Sequence, residues 1–428
     1  MSKYQKSEKW LQRAEVTIPL GSQTFSKSRT QYPVGISPLY VQKGKGAHIW
    51  DLDGNRYLDL VGALAAVTIG YSDKAMNRVI RKQLKSGITL SLPGILEVEV
   101  AEKLTELIPS AEMVRFGKNG SDATSAAVRL ARAYTGRSKI VVCGYHGWQD
   151  WYIGSTSRNK GVPSVVSDLT ISFKYNDLDE FKAVVEENRG TIAALVMEPM
   201  NTTFPKPEFL QEVRKITQDE GIVLVFDETI TGFRFAKGGA QELFGVKPDL
   251  STFGKGIANG MPLSAIVGKR EIMLEMEEIF FSGTFGGELL SLASAKHVLS
   301  RVENSDLIEK LSRVGSQISD GVNELIKLTG LQEVLKLSGH PSWTFLNWSP
   351  SAEYSVDQIK TLFLQEMFEQ NILILNSHNV SYAMTDSDVN QLLNAYKRTL
   401  RTISESLTRK DLQKRLKVEP LPPLFKLR

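Results

Sequence analysis

Cysteine, proline, net charge and long apolar runs are all scarce in this chain. Its 428 residues include one cysteine, Cys143, and 16 prolines, and 52 Lys+Arg against 48 Asp+Glu leave a formal net charge of +4. A single cysteine excludes an intramolecular disulfide and a cysteine-based zinc cluster, and we expect no bound metal. With 42% hydrophobic residues, the chain belongs to neither the disordered nor the collagen-like class. Near-balanced charge without blocks of like charge argues against nucleic acid as a partner.

Signals for a membrane or for export are missing as well. The longest apolar run, LVGALAAVTIG over 60–70, has about half of the ~20 residues that a bilayer-spanning helix needs. We interpret it as a buried segment. The N-terminal sequence MSKYQKSEKWLQRAE is polar and has no apolar region of the kind that a secretory signal requires. We therefore expect a cytoplasmic protein that does not bind membranes.

What the sequence does have is an alternation of two patterns. Short β-branched runs are separated by amphipathic stretches of helical length, such as FLQEVRKITQDE over 209–220. Alternation of this kind is typical of βαβ units. It predicts an α/β fold with a mostly parallel sheet flanked by helices. The β-branched runs are KIVVC (139–143), TIAALVM (191–197), GIVLVF (221–226) and LSAIVG (263–268).

The same patterns predict a division into domains. Residues 59–305 hold the alternating runs and form a large domain. Residues 306–428 combine amphipathic helices with a strand-like SWTFLNW and predict a smaller α+β domain, whose basic, then proline-rich tail from Arg409 is expected to be a solvated arm. The segment 1–58, with a predicted β-hairpin turn at Asp53-Gly54, is expected to contribute to this small domain.

One candidate site begins after a β-run that ends at Phe116. A glycine-containing loop follows, and Gly120-Ser121 opens a helix. The first backbone N–H groups of a helix have no intrahelical acceptor and the helix dipole favours an anion there, so this loop suits a phosphate. The alternative is an ordinary capped helix with Ser121 as its N-cap.

A second candidate is the sequence VVCGYHGWQDWY over 141–152. Glycines on both sides of Tyr145-His146 let the backbone approach a ligand closely while an aromatic ring faces it. Stacking on a planar heterocycle is the functional interpretation. Packing of these aromatic residues in the core, Trp148 included, is the alternative.

The third candidate is Asp227, which ends the apolar run LVFD. In open α/β sheets ligands bind at the carboxyl ends of the strands. A carboxylate is costly to bury there unless a cation or hydrogen-bond donors meet it. The alternative is a loop-capping aspartate.

The fourth candidate, Lys255, lies between Gly254 and Gly256 after another short apolar run. A lysine in an apolar, glycine-lined pocket has a lowered pKa and becomes an amine able to form a Schiff base. Together the four candidates provide a phosphate site, a ring to stack, a carboxylate for a ring nitrogen and an amine for an aldehyde. These requirements describe one ligand, pyridoxal 5′-phosphate (PLP).

Longer segments extend this interpretation to a family. In order, and over nearly the whole chain, the sequence resembles class III aminotransferases of PLP fold type I, most closely the glutamate-1-semialdehyde 2,1-aminomutase branch. The segments that carry the resemblance are SDATSAAVRLARAYTGR, YHG, MEP, FDETITGFR, GGAQELFGVKPDLSTFGKGIANGMP and GTFGGE.

The resemblance implies roles for individual residues. Lys255 would form the Schiff base with PLP and Asp227 would pair with the pyridinium nitrogen. The implied cofactor contacts are Gly120 and Ser121 to the phosphate, Tyr145 with neighbouring His146 at the ring, and Asn201 to the ring 3′-oxygen. A homodimer is implied in which Thr284 of one subunit reaches the cofactor phosphate of the other.

Four departures from the mutase branch concern the substrate. TFGGE over 284–288 stands where that branch has TxSGNP, and LNSHNVSY over 375–382 lacks its glutamate. PLGSQTFSKSRTQYP over 19–33 replaces the stretch that carries an arginine for the substrate carboxylate, which leaves Arg29 or Lys27 as candidates. The residue two positions after Asp227, usually valine, is Thr229.

These departures favour an intermolecular aminotransferase with L-glutamate as donor. Ser, His, Asn and Tyr in place of an acid would suit a hydroxyl-rich acceptor, and the candidate substrate residues are Arg29, Trp148, His378 and Asn379. The GTFGGE and YHGWQDWYIG variants look like a subgroup of surface-polysaccharide pathways, including enzymes that aminate 8-oxo-3-deoxy-octulosonate. The alternatives are the mutase reaction of tetrapyrrole synthesis and a non-catalytic PLP-binding protein.

Overall fold

The computed structural model describes residues 3–422, so the end of the predicted C-terminal arm, 423–428, lies outside the described residues. The helices are α1 (Gln5–Glu15), α2 (Gly62–Ala65), α3 (Lys74–Leu84), α4 (Ile95–Leu107), α5 (Gly120–Thr135), α6 (Asp150–Ile153), α7 (Ser164–Ser167), α8 (Leu178–Glu187), α9 (Phe209–Asp219), α10 (Ala240–Phe244), α11 (Arg270–Met273), α12 (Leu289–Asn304), α13 (Leu307–Leu328), α14 (Val356–Glu369), α15 (Asp386–Arg409) and α16 (Leu412–Arg415). The strands are β1 (Val41–Lys45), β2 (His48–Asp51), β3 (Arg56–Asp59), β4 (Met113–Gly117), β5 (Lys139–Cys143), β6 (Thr170–Ser172), β7 (Ile192–Met197), β8 (Val223–Asp227), β9 (Leu250–Phe253), β10 (Ser264–Gly268), β11 (Leu335–His340), β12 (Trp343–Trp348), β13 (Ile372–Leu373) and β14 (Ser377–Asn379).

These elements form two compact units. One contains the described residues up to Asp73 and those from Glu309 onward, and the other runs from Lys74 to Ile308. The first division therefore falls later than residue 58, where the sequence pattern placed it. The reason is hydrogen bonding beyond β3, because the backbone N–H of Leu60 donates to Leu373 O and that of Tyr382 donates to Thr68 O.

The larger sheet lies in the unit from Lys74 to Ile308. Its strand order is β4-β10-β9-β8-β7-β5-β6. Strand β10 runs antiparallel to both of its neighbours, and the remaining pairs are parallel. Because β10 is antiparallel to both β9 and β4, β4 runs in the same direction as β9. Its carboxyl end therefore lies at the same edge of the sheet as those of β5, β7, β8 and β9. The predicted mostly parallel α/β sheet is confirmed.

Alternation along the strands builds a core on each face of this sheet. Val223 and Val225 pack with the apolar side of α5, whereas Leu224 and Phe226 pack with residues of α8 and α9. Successive side chains of a strand point to opposite faces, so a run with no polar residue can only be covered on both sides. This explains why every residue of β7 and β8 is buried.

The other unit contains two small sheets, ordered β1-β2-β3-β13 and β11-β12-β14. Strands β2 and β3 form the predicted antiparallel hairpin, and Gly54 turns with a φ of 93°. The predicted buried segment after β3 contains an unusual turn over Gly62–Ala65, in which four successive residues have positive φ. The Asp59 carboxylate holds this turn by accepting the N–H groups of Val61 and Gly62, at 2.8 and 3.1 Å.

No helix within residues 3–422 is long and apolar enough to cross a bilayer.

Candidate active site

The Asp227 carboxylate lies buried at the carboxyl edge of the large sheet, where three groups of the chain bond to it. It is 5% exposed. Its Oδ1 accepts the Thr229 N–H at 3.1 Å and the Thr252 hydroxyl at 3.2 Å, and its Oδ2 lies 2.9 Å from His146 Nδ1. Burial alone would raise the pKa of Asp227, but the bonds from His146 and Thr229 outweigh it and hold the pKa below its usual value. The structure therefore maintains a buried negative charge at the end of β8.

His146 is positioned behind that charge. It is 2% exposed, and its Nε2 lies 3.2 Å from the carbonyl oxygen of Cys143. Both ring nitrogens thus face oxygen atoms, of Asp227 and of Cys143. The loop after β5 and the end of β8 are joined by this ring.

Lys255 follows β9 in a 3₁₀ turn over Lys255–Ala258. Its φ of 43° lies in the left-handed region, which non-glycine residues adopt at a cost. Burial lowers the pKa of Lys255, while the Glu198 and Asp227 carboxylates oppose this effect. A lowered pKa increases the fraction of neutral amine, which is the nucleophilic and basic form.

The N-terminus of α5 lies beside the residue that precedes Lys255. A Cβ placed on Gly254 would be 3.7 Å from the Cα of Gly120. Asn119, rather than Ser121, is the N-cap, which corrects the alternative considered above. The Ser121 hydroxyl instead accepts the Trp148 N–H at 3.3 Å. The first turn of α5 and Lys255 therefore meet at one edge although they are distant in sequence.

The loop that carries Tyr145 crosses this edge between two glycines of positive φ. A Cβ on Gly144 would lie 2.4 Å from Glu198 Oε2, and one on Gly147 would lie 2.2 Å from Ser121 Oγ. The Tyr145 ring is 47% exposed and makes an edge contact with Tyr152 at 5.5 Å. Tyr145 is therefore partly exposed, next in sequence to His146 of the buried Asp227–His146 pair. Trp148, 64% exposed, lies on the same loop.

Glu198, the acid of the MEP segment, follows β7 and is a structural part of the site. Its Oε2 accepts hydrogen bonds from the Tyr145 N–H, at 3.2 Å, and from the side-chain amide of Asn201. Asn201 is therefore held by the Glu198 carboxylate. Burial raises the pKa of Glu198 to about 7, with Asp227 adding to the shift and His146 opposing it. The MEP segment contains this acid, but its burial depends on the neighbouring loop.

The residues at this edge fit PLP. A helix N-terminus suits its phosphate, the Asp227 carboxylate its ring nitrogen, the Tyr145 ring its planar face and the Lys255 amine its aldehyde. A further observation favours a bound polar ligand, since the hydroxyl oxygen of Thr229 is buried without a partner among the described residues.

Four further candidate residues lie in the loop before α12 or in the unit that contains the chain termini. Thr284 is exposed in the loop before α12. Arg29, in the unit that contains the chain termini, pairs with Glu15 at 2.5 Å. His378 and Asn379 lie in the same unit, where they are buried. No cluster of His, Cys, Asp or Glu suited to a metal occurs within residues 3–422.

The interior position of His378 conflicts with its proposed role as a substrate ligand. Its ring nitrogens lie 2.6 Å from the Thr344 hydroxyl and 2.7 Å from the Tyr396 hydroxyl. The Asn379 amide donates to Val61 O at 3.0 Å. Burial lowers the pKa of His378 to about 4, so the ring is neutral at physiological pH. These contacts explain both side chains as structural groups of their own unit.

Comparison with known proteins identifies the family. The model of Aminotransferase class-III matches residues 31–398. The chain belongs to the class-III aminotransferase family. This membership confirms the predicted PLP-dependent transaminase and the fold type I architecture.

Three relatives illustrate the range of the family. The glutamate-1-semialdehyde 2,1-aminomutase of Pelodictyon phaeoclathratiforme is 36% identical over 424 residues, covering 92% of this chain and 98% of that protein. The 3-aminobutyryl-CoA aminotransferase of Cloacimonas acidaminovorans is 31% identical over 415 residues, covering 95% and 99%. The solved PLP form of the FumI protein from Sphingopyxis sp. MTA144 superposes with a TM-score of 0.89 at 27% identity, covering 98% and 100%. The last structure supports PLP as the cofactor of this class-III transaminase.

The raised pKa of Glu198 predicts a pH dependence of stability. Below about pH 4.5 the carboxyl is neutral in both states, and above about pH 7 it is ionised in both. Between these values the unfolded chain loses a proton that the folded chain keeps, so this group makes folding less favourable as pH rises, by about 3 kcal/mol in total. We expect Glu198→Gln to remove that component.

Urea denaturation of the cofactor-free protein between pH 4.5 and 8 measures the effect. The free energy of unfolding of the wild type should fall relative to that of Glu198→Gln as pH rises through this window. The same substitution at the exposed Glu187 controls for the loss of a surface charge. A difference between wild type and Glu198→Gln that does not change with pH would contradict the raised pKa.

Proposed function

We propose that this chain is an intermolecular aminotransferase that moves an amino group from L-glutamate to the aldehyde or keto carbon of a small hydroxylated acceptor. The observation that carries the proposal is the Lys255 amine, whose pKa is lowered, at the sheet edge that also holds the Asp227–His146 pair. An amine in its neutral form can both attack a carbonyl and accept a proton.

The residues at the carboxyl edge of the sheet would have separate roles in binding and orienting the cofactor. PLP, when bound, supplies an aldehyde for the amino group and a ring that takes up the electron pair left at the donor carbon. Asp227 holds the ring nitrogen protonated, and His146 keeps the Asp227 carboxylate charged and oriented. Tyr145 covers one ring face, and the first turn of α5 binds the phosphate.

Lys255 would carry the proton. Its Nζ would accept the proton of the donor carbon and return a proton to the cofactor carbon on the other side of the amino nitrogen. Glu198 holds the Tyr145 loop in place through the backbone N–H of Tyr145. Because donor and acceptor use the same site in turn, ping-pong kinetics follow.

The acceptor class is supported by a cavity of about 450 Å³ in the unit from Lys74 to Ile308. Asn201 lines the cavity, and Lys174 and Glu180 add a cation and a carboxylate to the lining. Several lining residues carry hydroxyl groups, which can form hydrogen bonds with hydroxyls of a ligand, and the Lys174 ammonium group could bind a carboxylate. The sugar acid 8-oxo-3-deoxy-octulosonate of lipopolysaccharide synthesis is our specific candidate. The hydroxyl-bearing residues of the lining are Tyr152, Ser155, Ser172, Tyr175 and Thr202.

One observation favours a second function. The relative with 36% identity is named as a glutamate-1-semialdehyde 2,1-aminomutase, so the intramolecular mutase reaction of tetrapyrrole synthesis is the alternative. Against it stands the absence of an acid from LNSHNVSY over 375–382. Cytoplasmic location fits both reactions.

The donor can be tested without knowing the acceptor. Glutamate alone should convert the bound cofactor from its aldehyde to its amine form and release one equivalent of 2-oxoglutarate, because the first half-reaction needs only a donor. Loss of the visible band, recorded by stopped-flow absorbance, measures this conversion. Lys255→Ala should slow it by about 100-fold or more. A glutamate-treated holoenzyme with an unchanged spectrum would contradict the donor assignment.

The mutase alternative needs a separate assay. Supplying glutamate-1-semialdehyde to the holoenzyme and measuring 5-aminolevulinate tests it directly. Efficient formation of 5-aminolevulinate without any other amino donor would replace the intermolecular proposal. With 8-oxo-3-deoxy-octulosonate and glutamate, we expect the 8-amino product.

An exposed apolar surface supports the homodimer. Residues around Thr284 leave large apolar side chains in contact with solvent, among them Phe285 at 59% and Leu92 at 79% exposure. The two segments are adjacent, since the Leu289 N–H donates to Ile88 O at 2.8 Å. A second copy of the chain would cover this surface and place Thr284 near the cofactor phosphate of its partner. The apolar surface consists of Leu84, Ile88, Leu90, Leu92, Ile95, Val98, Phe280 and Phe285.

Phe285→Glu should therefore weaken the dimer. A charge placed within an apolar interface loses its hydration, so we expect dissociation to increase by about 100-fold or more. Size-exclusion chromatography with light scattering measures the mass at several concentrations. Val165→Glu is the matched control, because Val165 is 69% exposed but lies outside this surface. A wild-type mass equal to that of one chain would contradict the dimer.

A further inference from the structure

Thr229 lies where three parts of the candidate site meet. Its backbone N–H donates to Asp227 Oδ1 at 3.1 Å. Its Cγ2 would be 3.1 Å from a Cβ on Gly120 and 3.2 Å from one on Gly254. The side chain therefore touches the carboxylate segment, the first turn of α5 and the residue that precedes Lys255. All three belong to the same compact unit.

The methyl group of Thr229 packs at this junction, whereas its hydroxyl lacks a hydrogen-bond partner there. The oxygen is buried and has no hydrogen-bond partner among residues 3–422. It lies close enough to Asp227 to favour the charged carboxylate, yet no acceptor has hydrogen-bond geometry. A buried hydroxyl without a partner costs folding free energy, whereas a valine would fill the same space without that cost.

Position favours a ligand as the missing partner. The hydroxyl oxygen would be 3.3 Å from a Cβ on Gly120, which lies at the helix N-terminus that suits the phosphate. In sequence, Thr229 lies two residues after Asp227, whose carboxylate suits the ring nitrogen. Both ends of a PLP molecule would thus be bound by groups next to this side chain.

We propose that Thr229 is a cofactor-binding residue whose hydroxyl forms a hydrogen bond with a polar atom of bound PLP. This bond would offset the cost of burying the hydroxyl and would make the cofactor-free site less stable than the one with PLP. The proposal depends on PLP binding and is independent of the donor and acceptor assigned above.

Two substitutions in the full-length chain test the proposal. Thr229→Val removes the hydroxyl at constant shape, and Thr229→Ser keeps it. The PLP dissociation constant is measured by titrating cofactor-free protein with PLP and following tryptophan fluorescence. Thermal unfolding without PLP reports stability alone. We expect Thr229→Val to bind PLP about 5–30-fold more weakly with an equal or higher Tm, and Thr229→Ser to stay within about threefold of the wild type.

Thr231 provides a matched control on the same segment. Its hydroxyl donates to the buried Glu228 carboxylate, so this group already has a partner. Thr231→Val should therefore lower the Tm without changing the PLP dissociation constant. The two Thr→Val variants are expected to show opposite patterns.

Three results would overturn the proposal. An unchanged PLP dissociation constant in Thr229→Val would show that the hydroxyl makes no bond to the cofactor. Weaker binding accompanied by a lower Tm of the cofactor-free protein would assign Thr229 a structural role. Equal losses in Thr229→Val and Thr229→Ser would show that the methyl contact, and not the hydroxyl, determines affinity.

Discussion

Burial of the Asp227 carboxylate is the constraint on which the site depends. A charged carboxylate within a sheet is costly unless donors surround it. Here the donors come from separate parts of the chain: Thr229 beyond β8, Thr252 of β9, and His146 of the loop after β5. Satisfying one charge thus aligns three parts of the sheet edge. The same alignment brings the Tyr145 loop and Lys255 to that edge.

Close approach of backbones gives this edge its shape. Side chains at Gly144 and Gly147 would collide with Glu198 and Ser121. The glycines allow the loop to lie directly on α5 and on the end of β7, and that contact buries Glu198. The same backbone arrangement therefore raises the pKa of Glu198 and fixes the position of the Tyr145 loop.

The sequence allowed the strands and most of the site to be predicted, for definable reasons. Short, continuous apolar runs are typical of parallel strands that are buried on both faces. This pattern located the ends of β7 and β8, and with them Asp227. Glu198 could be expected beside the pocket from the MEP segment, but its burial could not be predicted, because a glutamate after a strand is buried only if a neighbouring loop closes over it. His378 was a candidate substrate ligand because LNSHNVSY has polar side chains where the mutase branch has an acid. Its actual partners, Thr344 and Tyr396, converge on it only in three dimensions.

The position of β10 has a consequence for synthesis of the protein. Among residues 3–422, strand β4, which leads into α5, pairs only with β10, and β10 is the last strand of this sheet to leave the ribosome. Until residues Ser264–Gly268 emerge, β4 has no strand beside it, although α5 has long been translated. Pairing across such a sequence separation is slow because the intervening chain must first be ordered. A chain terminated before β10 would therefore lack the strand that pairs with β4, although α5 and Lys255 would already have been translated.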